Sequence, residues 1–117
     1  MQDFRNLLVW QKSHELALEI YRLSRDFPRE ELYGLASQMR RAAVSIPSNI
    51  AEGRGRGSDP DFGRFLVIAM GSSSELEYQL LLAKDLGYVD TTMHESLERK
   101  IMEIKKMLSS LIQRVKK

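Results

Sequence analysis

Cysteine is absent from the 117-residue sequence, which excludes disulfides, thiolate metal ligands and sulfur redox chemistry other than at methionine. That absence fits a reducing compartment, and the expectation is a soluble, cytoplasmic protein. Histidine occurs only as His14 and His94, each beside a glutamate. Adjacent helical residues point apart, and the Glu-x-x-His pairs of a carboxylate-bridged dimetal bundle do not occur. No metal, no other cofactor and no catalytic residues are expected. Long apolar runs are also missing. Stretches such as Leu66–Met70 are far too short to cross a bilayer. Met1–Leu8, with Asp3 and Arg5, does not read as a signal peptide. No stretch alternates apolar and polar residues over the length of a strand between turn residues.

What remains is helical spacing over a length that suits one domain, residues 1–117. The fold class expected is all-α: an antiparallel up-and-down four-helix bundle with a kinked second helix. A first helix over Val9–Arg25 places Val9, Ser13, Leu16, Ile20, Leu23 and Phe27 at steps of four and three, and Phe27-Pro28 stops it. A second begins near Leu32–Gly34 and buries Leu35, Met39, Ala42, Ile46 and Ile50 or Gly53. Pro47 falls inside it, and a proline in a helix interior costs about 3 kcal/mol, so a kink is expected there. Gly53–Ser58, three glycines alternating with Arg54 and Arg56, reads as a flexible connection. The third helix starts at a Ser58 or Asp59 cap with Pro60 in its first turn and ends at Gly87. Phe62, Phe65, Leu66, Ala69, Leu76, Leu80 and Ala83 face inward, and the small residues Gly71–Ser74 mark a tight crossing. Thr92 with Glu95 forms a capping-box pattern. The fourth helix follows, with Leu97, Ile101, Ile104, Leu108, Leu111 and Val115 in one seam.

The third helix carries more apolar surface than one stripe needs: Phe65–Met70 and Leu80–Ala83 are apolar on every side for a turn. Met102, Met107 and Ile112 add a second partial stripe to the fourth helix. Both features argue for a subunit interface, with coverage by long neighbouring side chains as the alternative. Leu66 and Ile68 are the positions where a charge should probe it.

Charge is uneven. The net is +2, but Arg99–Lys117 holds seven basic residues against Glu103 alone, while the rest of the chain holds eleven basic against fifteen acidic. Lysines near a helix C-terminus offset the helix dipole, and the same charge can steer toward phosphate. Arg40, Arg41, Arg54, Arg56 and Arg64, with Lys105, Lys106, Arg114, Lys116 and Lys117, form the candidate nucleic-acid contacts. No aromatic platform for base stacking stands out beside them. Gln38, Arg41, Ser45, Asn49 and Glu52 recur at helical spacing as a polar stripe. It reads either as a hydrogen-bonded network with Ser72, Ser73 and Glu75 or as part of a basic surface. Gly53–Ser58 lacks the preceding strand and the lysine of a phosphate-binding loop, so no nucleotide site is assigned.

The run Phe27-Pro28-Arg29-Glu30-Glu31-Leu32-Tyr33-Gly34-Leu35, followed by Gln38 through Gly53, resembles a known family: the four-helix-bundle proteins encoded in intervening sequences of bacterial 23S ribosomal RNA genes. Leu8–Lys12, Phe65-Leu66, Gly71-Ser72, Glu75–Glu77 and Ala83–Tyr88 also fit, so the likeness covers nearly the whole chain. The resemblance implies a left-handed bundle, a homopentamer and no established enzymatic role. A related group, accessory proteins of diversity-generating retroelements, forms basic pentamers that bind nucleic acid and a reverse transcriptase. Two functional expectations follow: a non-enzymatic homo-oligomer that contacts RNA or DNA, or a structural scaffold that recruits a protein partner. In the scaffold, the arginines would pair mostly with Glu30, Glu31, Glu75 and Glu77.

Overall fold

The structure, a computed structural model, describes residues 3–116. Four helices follow in order: α1 (Leu8–Ser24), α2 (Leu35–Gly55), α3 (Asp59–Asp85) and α4 (Thr91–Lys116), with short 3-10 turns at Phe4–Asn6 and Arg29–Glu31. Each helix packs on the next, α2 on α3 most extensively, and α1 closes against α4 more thinly. The result is an up-and-down bundle without strands among the described residues. Its longest dimension, 44 Å, matches the roughly 40 Å that the 27 residues of α3 span at the helical rise.

Local chemistry sets where each helix stops. Phe27 is buried, and its ring leans on Tyr88 with centroids 5.3 Å apart. Pro28 cannot continue α1, and the chain makes a 3-10 turn before α2. The start of α2 therefore falls at Leu35, a little later than the spacing predicts. Glu31 fixes that start. One carboxylate oxygen accepts from the Leu35 N–H at 3.0 Å, and the other accepts from the Tyr88 hydroxyl at 2.9 Å. Gly34 leaves room for it, because a Cβ there would lie 2.7 Å from the Glu31 carboxylate. At the far end of α3, Gly87 adopts φ +83°, and the Tyr88 N–H turns back onto the Ala83 carbonyl at 2.9 Å.

Two boundaries differ from the sequence expectation. The cap of α4 is Asp90, whose side chain accepts from the Met93 N–H at 2.7 Å, and not Thr92, which already lies inside the helix. An aspartate accepts this bond with a full negative charge at the positive helix end, which a threonine hydroxyl cannot match. The stretch Gly53–Ser58 is not all connection: α2 runs through Gly53 and Arg54 to Gly55. Packing on α3 holds those residues helical despite their poor propensity, and only Arg56–Ser58 joins the two helices. The helix also continues through Pro47, which is buried.

The core is one cluster fed by all four helices, including Leu16 and Ile20, Met39, Ile46 and Ile50, Leu66, Leu76 and Leu80, and Leu97, Ile101, Ile104 and Leu108. Phe65, Leu111 and Val115, placed in the seams by spacing, are only half-buried, because they sit near the open end of the bundle. The small-residue patch divides. Ser73 is fully buried and Ser72 half-buried, whereas Gly71 and Ser74 face outward, so half of the patch serves the α2–α3 crossing.

The Tyr88–Glu31 bond has a consequence at high pH. Donating to a carboxylate raises the Tyr88 phenol above its usual range, with Glu31 the main cause. A group with a raised folded pKa contributes stability that is fully present below the unfolded value, about 10 for tyrosine, and is lost as pH rises through the folded value. Urea melts taken from neutral pH to beyond pH 10 should therefore lose stability less steeply in Tyr88→Phe than in the unmodified chain. Identical slopes would mean that this bond does not tie the α3–α4 turn to α2.

Candidate nucleic-acid interface

At one end of the bundle the C-terminus of α2, the N-terminus of α3 and the last turn of α4 come together. The close approach of α2 and α3 depends on Gly53, which is buried. A Cβ there would lie 2.7 Å from the Phe65 Cβ and 3.1 Å from a ring atom of Phe62. Ser58 caps α3, its side chain facing the Asp61 N–H at 3.4 Å. The alignment brings Phe62 and Phe65 under the arginines that precede them. Arg54 lies over Phe62 at 5.3 Å from the ring centroid, and Arg56 and Arg64 both lie over Phe65, at 5.0 and 6.0 Å. Carboxylates hold two of these guanidiniums: Arg56 donates to Glu52 and Arg64 to Asp61, each at 2.8 Å. Gly63 faces Val115, where an added Cβ would stand 3.3 Å from a valine methyl, so Arg114 and Lys116 belong to the same end. Arg114 has no carboxylate partner among the described residues.

The structure does not gather the other candidate contacts here. Arg40 lies fourteen residues before Arg54 on α2, about 20 Å along the helix. It donates to the Ser24 hydroxyl at 2.8 Å and lies over Tyr21 at 5.0 Å. Arg41 is exposed and also remote. Lys105 is tied to Glu77 of α3 at 2.9 Å, and Lys106, exposed, is well up α4 from its end. Lys117 lies outside the described residues. None of Glu30, Glu31, Glu75 and Glu77 pairs with an arginine among the described residues; the arginines use Asp3, Glu52 and Asp61 instead.

The polar stripe is likewise divided. Ser45 and Ser72 share a hydrogen bond of 2.7 Å between α2 and α3, and Asn49 donates to the Ser45 carbonyl and hydroxyl at 2.7 and 3.0 Å. Ser73 instead donates to the Ala69 carbonyl of its own helix at 2.9 Å, and Glu75 accepts from Gln79 at 3.3 Å. Gln38, Arg41 and Glu52 are exposed. Among the described residues no group of three or more His, Asp or Glu side chains could hold a metal ion, and no helix is long and apolar enough to cross a membrane.

Sequence reasoning overlooked the aromatic component. Its signal was present, since Phe62 and Phe65 follow the Gly-Arg run and sit one helical turn apart, but both were assigned to the core. Phe62 belongs there, whereas Phe65 is half-buried and has two guanidiniums within 6.0 Å of its ring centroid.

Comparison with known proteins places this architecture. The model of the family described as "23S rRNA-intervening sequence protein" matches residues 5–110. A solved structure from Bacteroides thetaiotaomicron, described as a protein with unknown function from the S23 ribosomal protein family, is similar at a TM-score of 0.84 and 32% identity. The match covers 90% of this chain and 98% of that one. No curated protein matches.

Proposed function

The chain belongs to the 23S rRNA-intervening sequence protein family, and from that premise we propose that it acts as a non-enzymatic, self-assembling helical bundle that meets nucleic acid at its arginine-rich end. The carrying observation is a second seam on α3. Phe62, Leu66, Ala69, Ser73, Leu76, Leu80 and Ala83 recur at steps of four and three and are all buried. Val67, Gly71, Ser74, Tyr78 and Leu81 recur with the same rhythm on the opposite face and are all exposed, with Ile68 alongside. A helix that serves only its own bundle needs the first seam alone. The second is the pattern by which one helix packs against another chain, and neighbouring side chains of the same subunit do not cover it: Val67 is 53% and Tyr78 61% exposed.

Light scattering over a concentration series tests the assembly. The expected mass is a multiple of the 13.5 kDa chain, five-fold if the pentamer implied by the resemblance holds. A mass of one chain throughout would overturn it and favour a scaffold whose outward seam receives a different protein. The nucleic-acid reading rests on Arg54, Arg56, Arg64, Arg114 and Lys116 meeting at one end, a feature that assembly would repeat once per subunit. Binding through phosphate must weaken steeply as salt rises, because each contact releases condensed counterions. Gel shifts with RNA and DNA across a salt series check this, and no shift at low salt would defeat it.

A further inference from the structure

We propose that the arginine-rich end selects unpaired nucleotides over duplex, using the Arg56–Phe65–Arg64 cluster as a stacking platform. The inference rests on the nucleic-acid reading above and specifies its partner.

Charge alone would make this end a weak and indiscriminate binder. Arg54, Arg56, Arg64, Arg114 and Lys116 are opposed there by Glu52, Asp59 and Asp61, so the local excess of positive charge is small. The arrangement of the arginines is more specific than their number. Two guanidiniums lie over one ring, and each is also paired with a carboxylate close by in sequence, Glu52 four residues before Arg56 and Asp61 three residues before Arg64. A long side chain drawn toward both a ring and a carboxylate samples fewer rotamers before any ligand arrives, which lowers the entropy cost of binding. Both remain open to solvent, the Arg56 side chain 48% and the Arg64 side chain 71% exposed. Planar guanidiniums and aromatic rings are the surfaces on which unpaired bases stack.

A duplex can use little of this. Its base faces are already occupied by neighbouring pairs, so it can be read only through a groove or held by its phosphates. Groove reading takes a helix or a two-stranded ribbon seated in the major groove, whereas the arginines and Phe65 here belong to the turn Arg56–Ser58 and the first two turns of α3. The exposed carboxylate pairs do not block the site, because surface ion pairs are weak and a phosphate can compete for the same guanidiniums. Arg114, on the adjoining helix end and without a carboxylate partner among the described residues, would take a neighbouring phosphate.

The test compares oligouridine with duplex RNA of equal length, by fluorescence anisotropy on the unmodified protein and on the double variant Arg56→Lys/Arg64→Lys. Lysine keeps each charge and removes each plane. The expected result is tighter binding of the single strand by about tenfold, the range of one stacked base. The double variant should lose that advantage, while its duplex affinity and salt dependence stay as they were. Thermal melts by circular dichroism should be unchanged, since both arginines are exposed. Equal affinity for the two RNAs, or a single-strand preference that survives in the double variant, would overturn the platform while leaving phosphate binding intact. No binding of either RNA at low salt would overturn the nucleic-acid reading itself, and this proposal with it.

Discussion

Replacing Leu66 with aspartate is expected to unfold the chain, whereas the same change at Ile68 is expected to leave a folded chain that no longer assembles. Leu66 is 0% exposed in the centre of the core, and Ile68, two residues on, is 51% exposed beside the outward seam. Removing a buried leucine side chain to alanine alone costs about 2 to 5 kcal/mol. An aspartate at that depth must also be desolvated or protonated, because the buried cluster to which Leu66 belongs is made of hydrophobic side chains that cannot pair with it. Against a total stability of about 5 to 15 kcal/mol, that change removes most or all of the fold. At Ile68 a single subunit loses almost nothing, so the melting temperature of the dissociated chain measures the subunit alone. In an assembly, however, aspartate would be buried without a partner once per interface. Circular dichroism melts and light scattering on both variants read the two effects separately. An Ile68→Asp protein that keeps the oligomeric mass would move the interface away from α3. A Leu66→Asp protein with an unchanged melt would contradict the packing itself. The sequence alone placed both residues in one apolar run and offered either as an interface probe, and burial corrects this: only Ile68 can serve.

The second large effect is at Gly53, where alanine should destabilise the bundle although alanine is the better helix former. In an open helix the exchange is worth up to about 1 kcal/mol in favour of alanine. Here the new methyl would sit 2.7 Å from the Phe65 Cβ, an atom fixed by the α3 backbone, and 3.1 Å from the Phe62 ring. Carbon atoms sit comfortably at about 3.5 to 4.0 Å, so the two helices must separate, at a cost of about 1 to 3 kcal/mol for overpacking. The net expectation is a loss of about 1 kcal/mol or more, read as a fall of roughly 5 °C in melting temperature. Gly71→Ala is the control, because a Cβ there meets nothing within 4 Å. It should raise the melting temperature of the single subunit, and because Gly71 lies in the outward seam it should also weaken assembly if two helices approach closely there. A Gly53→Ala protein as stable as the unmodified one would show that α2 and α3 are not locked at this point.

Both experiments depend on knowing which side of a helix faces where, and that is where reading the sequence reached its limit. Helix existence was legible because period and punctuation are local. The four-three rhythm of Leu97, Ile101, Ile104 and Leu108, the Phe27-Pro28 stop, the Ser58-Asp59-Pro60 start and the Gly87 turn all act within a few residues of themselves, and the structure has each of them. The extent of α2 was not legible. Gly53-Arg54-Gly55 has the composition of a loop, and only the packing of Gly53 against Phe62 and Phe65 shows why it is helical. The capping-box pattern of Thr92 with Glu95 pointed to the wrong cap for α4, because the backbone presents the Asp90 side chain to the Met93 N–H.

The candidate site shows the same division more sharply. Sequence supplied a roster of cations, and the fold sorted them: Arg54, Arg56, Arg64, Arg114 and Lys116 to one end, Arg40 to a bond with Ser24, Lys105 to a bond with Glu77. The spacing of Phe62 and Phe65 after the Gly-Arg run was visible, but the approach of Arg56 to the Phe65 ring was not, because it spans the connection between α2 and α3, whose path depends on tertiary packing. What the sequence by itself determined was the number of helices, their apolar faces and the surplus of apolar surface on α3, since each follows from interactions between residues three or four apart. What only the tertiary structure decided was which half of that surplus is buried and which cations meet. Those questions turn on how far apart, and at what rotation, two helices come to rest, and that is set by contacts such as Gly53 with Phe65 between segments with no local pattern in common.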